Sequence, residues 1–201
     1  MNESLVIHDK SGPADRATAG PLDLSEVSDV RPFVDFGALR IFNREALQLR
    51  LEVEESTQRV VALTLEHDNS SLQLQAFAAP RNEGLWHEIR TQLADSITQQ
   101  GGSAEERIGA FGPELLVKIP VQPETSSGPA VRLARFIGVD GPRWFLRGIV
   151  GGAAMTDAKA AADIDDLFRS IVVVRGETPI PPRDLLNLTL PDSVISQPRS
   201  I

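Results

Sequence analysis

The chain has no cysteine among its 201 residues. That single absence removes disulfides, a thiolate nucleophile, cysteine-ligated zinc and iron–sulfur clusters together. A net positive charge is also lacking: 28 acidic residues against 20 basic ones leave −8, with a pI near 4.9. Phosphate backbones demand a basic footprint, so no nucleic-acid partner is expected. Long apolar runs are missing too. The stretch from Ile149 to Met155 is broken by glycines and falls well short of the roughly 18–20 residues a bilayer span needs. Met1-Asn2-Glu3-Ser4 begins acidic with no apolar segment behind it, so neither a secretory signal nor a membrane partner is expected, and the expected location is cytoplasmic.

Recognisable catalytic motifs are lacking as well. His87-Glu88 begins an HExxH pattern, but the second histidine would fall at Thr91, and the other histidines are His8 and His67; no metal site is predicted. Gly148-Ile149-Val150-Gly151-Gly152 has the glycines of a phosphate loop without its Lys and Ser or Thr, and reads as a bend where a strand leaves the sheet. Gly-x-Ser-x-Gly does not occur, which leaves no serine nucleophile to propose. Asp163, Asp165 and Asp166 scatter around a helix exterior with Arg169 three and four positions on, the pattern of a solvated face. No cofactor is predicted.

What the chain does have is periodicity. With 41% hydrophobic and 24% charged residues it is an ordinary globular sequence, long enough for one core. Leu47, Leu49, Leu51 and Val53 alternate with polar residues, as do Val61, Leu63 and Leu65, and then Leu72, Leu74 and Ala76; each run predicts a strand with one face buried. Phe33 to Phe42 predicts a first strand and Ala110 to Val121 a later one. Leu85, Ile89, Leu93 and Ile97 form a helical stripe, and a second helix is predicted after Asp157, an N-cap, with Ala161, Ile164, Phe168 and Ile171 inward. A hairpin-and-helix pattern thus occurs twice, with the turn aspartates Asp68 and Asp140 lying 72 positions apart.

The predicted fold is α+β: a mostly antiparallel sheet with two main helices packed on it, built from pseudo-repeated ββα units. Residues 1–30 carry −4 of the net charge without apolar periodicity and predict a mobile acidic arm. Residues 31–176 predict the domain, and 177–201 a proline-rich tail, partly docked through its leucines. A Pro, Ser and Gly loop is expected at 122–130.

The segment Asp140-Gly141-Pro142-Arg143-Trp144-Phe145-Leu146-Arg147-Gly148, the helix end Leu167-Phe168-Arg169-Ser170-Ile171, Gly20-Pro21-Leu22-Asp23 and Asp35-Phe36-Gly37-Ala38-Leu39-Arg40 together resemble an uncharacterised actinobacterial protein family, a domain of unknown function. The resemblance runs over roughly residues 20–190 and implies no activity. A ratio of 17 arginines to 3 lysines fits a GC-rich genome. More remotely, the hairpin, helix and closing Ser-Ile strand are similar to the PsbP and LpqN type of α/β sandwich, which implies a binding module.

The chemically loaded segment is the hairpin at 131–150. A three-residue turn at Asp140-Gly141-Pro142 would pair Val139 with Arg143 and set Arg135 directly opposite Arg147. Like charges so placed need acids, open water or an anionic ligand. Trp144 adds an aromatic anchor. The predicted ligand-binding residues are therefore Arg135, Arg143, Arg147 and Trp144, set against a salt-bridge network reaching the acidic strand Leu47 to Glu55. The expected function is non-enzymatic binding of a protein or acidic ligand; the alternatives are a hydrolase or transferase acting on a phosphorylated small molecule, or tethering through the arm and tail.

Overall fold

In the strand Ser70–Ala78 every second residue is buried, Leu72, Leu74 and Ala76 beneath one face, while Gln73 and Gln75 stand on the other. Period two built into the sequence becomes a two-faced sheet. The computed structural model describes residues 8–28, 32–121 and 130–191. In chain order its elements are α1 (Arg16–Ala19), β1 (Leu22–Asp23), β2 (Phe33–Asp35), β3 (Leu39–Phe42), β4 (Gln48–Glu54), β5 (Arg59–His67), β6 (Ser70–Ala78), α2 (Trp86–Gln99), β7 (Ser103–Gly109), β8 (Gly112–Val121), β9 (Ala130–Asp140), β10 (Trp144–Gly152), α3 (Ala158–Arg169) and β11 (Val172–Val173). Short 3-10 turns lie at Leu24–Glu26 and Ala153–Met155.

The seven strands β4-β5-β6-β10-β9-β8-β7 form one antiparallel sheet in that order, and β1-β11-β3-β2 form a smaller one. The architecture is α+β with mostly antiparallel pairing. α2 lays Trp86 and Ile97 on one face of the large sheet against Val117, Phe136 and Phe145. On the other face, α3 and the small sheet enclose Leu63, Leu74, Ile137, Trp144, Leu146 and Phe168. Strand β10 sits between the two layers, which is why its apolar residues occupy both parities. Each such fully buried side chain contributes about 1.5–3 kcal/mol by leaving water.

Two local expectations are corrected, and one strand is unforeseen. Phe33 to Phe42 is not one strand: the chain folds back at Gly37, whose φ of 79° suits glycine, and becomes β2 and β3. β7 carries Glu105, Glu106 and Arg107 without alternation, so periodicity passed it over. Residues 8–28 do not stand off as an arm. β1 pairs in parallel with β11, Leu22 opposite Val172; Asp15 meets Arg169 at 3.2 Å, and the Lys10 ammonium donates to the carbonyls of Pro80, Gly141 and Pro142. Gly20, with φ 90°, lets the chain pass so close to α3 that a Cβ would fall 2.0 Å from the Arg169 carbonyl oxygen. From the tail, Leu186 and Leu188 are buried and the Leu186 amide donates to Ala76 O. The expected loop at 122–130, but for Ala130, lies outside the described residues, as do the chain ends at 1–7 and 192–201.

Candidate functional site

The hairpin register decides which arginines can act together. Phe145 pairs with Asp140, Gly148 with Ile137 and Val150 with Arg135. This is an odd offset from the register expected of a three-residue turn, and an odd offset turns every side chain of one strand to the other face. Arg135 and Arg147 are therefore not opposite each other: Arg135 points toward α3, and Arg147, opposite Gly138, lies on the α2 face.

Arg135 is buried in an ionic network. Its guanidinium meets Asp165 of α3, and its Nε lies 3.6 Å from Glu114 Oε2 on β8. Glu114, only 2% exposed, also accepts from Arg107 Nε at 2.7 Å. The network thus uses Glu114 and Asp165, not the acidic strand Leu47 to Glu55, and Asp165 is not part of a solvated face. Lys159 pairs with Asp163 on the exterior, and Arg169 turns to Asp15. Arg147 meets neutral groups: it donates to Gln75 Oε1 and lies over the Phe77 ring, 5.4 Å from its centroid. Burial holds this guanidinium below the usual arginine value.

Trp144 is fully buried, and its indole N–H donates to Asp23 Oδ2 at 2.9 Å. It is a wall of the arm's docking site and not a surface anchor. Asp23 also accepts from the Ser25 amide and hydroxyl. Burial raises its pKa, but those hydrogen bonds, the Trp144 indole and Arg16 outweigh burial and hold it below the ordinary value. Asp140 belongs to the α2 N-terminus. Its carboxylate accepts from the Leu85, Trp86 and Ser11 amides at 2.9, 3.4 and 3.0 Å, capping a helix that has no cap of its own.

Of the four predicted residues, Arg143 borders an open cavity. A cleft of about 720 Å³ runs between the arm, the hairpin turn and the segment after β11, lined by Leu24, Pro142 and Val174 and by the charged side chains of Lys10, Asp23, Arg81, Arg143, Arg175 and Glu177. That volume is the size of a small-molecule site. The Lys10 ammonium is engaged by three carbonyls and the Asp23 carboxylate by Trp144 and Ser25, which leaves the arginines and Glu177 as the cleft's available charges. Among the described residues, Arg81, Arg143 and Arg175 form no ion pair with a carboxylate. Arg143 donates to Gly176 O at 3.1 Å. Arg175 donates to Thr178 O and Ile180 O, and its Nε is buried without a partner. Burial first, and the charge of Arg143 second, hold Arg175 below the usual arginine value.

Arg175 and Lys10 escaped sequence reasoning because each lies outside the hairpin, in a segment without periodicity. His87 is exposed on α2, its ring 4.1 Å from that of His8. Among the described residues no group of three or more His, Asp and Glu side chains could hold a metal, and no helix is long and apolar enough to cross a membrane. No curated protein and no solved structure matches the chain. A family profile matches residues 20–197, from the arm through both helices into the tail. The chain belongs to that family, described as Protein of unknown function (DUF3710).

Proposed function

We propose that the chain is a non-enzymatic binding module that takes the anionic group of an acidic ligand at the turn end of the 131–150 hairpin, with Arg143 and Arg175 as the grips. One observation carries this reading: two guanidiniums close enough to repel each other border a ligand-sized cleft, and neither has a carboxylate partner among the described residues. An anion with two oxygens relieves that repulsion and is matched by the forked donors of arginine. Leu24, Pro142 and Val174 supply an apolar wall for the body of the ligand. Within this reading the family is actinobacterial, supported by the ratio of 17 arginines to 3 lysines, and works inside the cell. A kinship with the PsbP type of sandwich is supported by the order of hairpin and helix alone.

The test is titration with inorganic phosphate and with citrate, followed by the Trp144 indole and Gly176 amide resonances. Saturable shifts that vanish in Arg143→Ala/Arg175→Ala, with the melting temperature kept within a few degrees, are the expected result. Shifts that persist in the double variant, or none in the native chain, refute it.

A further inference from the structure

The seven-stranded sheet ends at β4, and among the described residues no strand pairs with its outer edge. Open edges are normally blunted by charged side chains, by proline, by a bulge or by brevity, and the charges of β4, Arg50, Glu52 and Glu54, include both signs and so can pair across a seam; of the other three devices the strand shows none. It runs seven residues, Gln48 to Glu54, without proline or glycine. At the one irregularity of its pairing, Glu52 faces Ala62 and Val53 faces Val60; the extra residue, Val61, thus belongs to β5, with its carbonyl accepting from Gln75 at 3.1 Å. Leu49 and Val53 remain 37% and 49% exposed on the α3 side, beside Leu51, which packs against the core.

We propose that this edge pairs with the same edge of a second copy, antiparallel about a two-fold axis at Leu51, joining two sheets into one. The register follows by elimination. A register with an odd residue sum sets Arg50 beside an apolar neighbour and joins the polar face of one copy to the apolar face of the other. Centring on Arg50 sets Arg50 against itself, and centring on Glu52 sets Glu52 against itself, both repulsive; centring on Leu49 overlaps only Gln48 to Arg50 of the strand, and centring on Val53 overlaps only Glu52 to Glu54 with Glu52 set against Glu54. Centring on Leu51 puts Arg50 opposite Glu52 twice and Leu49 opposite Val53 twice. Arg50 now lies 3.2 Å from Glu66 with 67% of its side chain exposed, so it reaches across the new seam. Glu52, which accepts from Thr64 and Gln73, keeps lone pairs for it. The partner is a second copy because the charge pattern is its own complement, as an isologous interface requires. A single strand edge is smaller than a standard interface, so monomer and dimer should exchange in the micromolar range.

Sedimentation velocity across micromolar to sub-millimolar concentrations tests this. The native chain should dimerise with concentration. Arg50→Glu and Glu52→Arg should each weaken dimerisation by roughly tenfold or more, since two attractive pairs become repulsive, and an equimolar mixture of the two should restore it as a heterodimer. Val53→Lys, at a half-exposed site outside the buried core, should abolish the dimer while leaving the fold intact by circular dichroism. A native chain that stays monomeric throughout, a dimer that Val53→Lys leaves unchanged, or folded charge variants that do not recover on mixing would overturn the proposal.

Discussion

Replacing Arg135 with Ala should destabilise the domain severely, and the arrangement around Glu114 says by how much. Glu114 and the Arg135 side chain are 2% and 6% exposed, and Glu114 Oε2 has the Arg135 charge at 3.6 Å but no hydrogen bond. Removing the cation leaves a buried carboxylate whose second oxygen faces nothing positive. Breaking a buried pair in this way costs about 3–5 kcal/mol. Arg107 still donates to Oε1 and Asp165 is 22% exposed in its side chain, so the lower half of that range applies. In a domain of this size the loss corresponds to a melting temperature lower by roughly 6–15 °C. Urea unfolding of Arg135→Ala beside Arg135→Met/Glu114→Gln measures it: the double variant removes both charges and should regain most of the loss. A single variant within about 1 kcal/mol of the native chain, the scale of an exposed pair, would refute the reasoning, because the network would then be no more than surface decoration.

Gly138→Ala places a Cβ 2.4 Å from the Trp86 ring and should cost about 1–3 kcal/mol, read as a lower urea midpoint; an unchanged midpoint contradicts the close approach of β9 to α2. Asp23 has a folded pKa below its ordinary 3.8, so its contribution is complete above that value and is lost as pH falls through the folded one. Acidification should therefore release the Trp144 indole resonance in the native chain, and Asp23→Asn should show the released position at every pH. Lys10→Ala removes three carbonyl contacts and should speed amide exchange at the Ser11 N–H, which now donates to Asp140; unchanged exchange would mean that Lys10 is not what holds the arm.

The parts of the fold visible in the sequence are those governed by near neighbours. Alternation at Leu63 and Leu65 and at Leu72 to Ala76, the stripe from Leu85 to Ile97 and the Asp157 cap, whose carboxylate accepts from Ala160 at 2.7 Å, all follow from side-chain period or from contacts within one turn. The hairpin register does not. Turn rules read Asp140-Gly141-Pro142 as a tip, but Asp140 is drawn under the α2 N-terminus and onto Ser11, and the Gly141 amide donates to Trp144 O at 2.8 Å. The pull comes from residues 54 to 129 positions away, beyond any local rule. Its consequence is chemical: the altered register separates Arg135 from Arg147, buries the first among acids, and leaves Arg143 at the mouth of a cleft. The arm was opaque for a related reason. Its polar composition suits disorder, yet Lys10, Asp15, Arg16 and Asp23 each find a partner only once the body exists to supply it or to hold the arm in place. Polarity alone does not distinguish a solvated charge from a latched one, and here the latched charges build one wall of the cleft. A ligand entering between Arg143 and Arg175 would therefore press on the Lys10 and Asp23 contacts that hold the arm down, and binding there should protect the arm's amides from exchange.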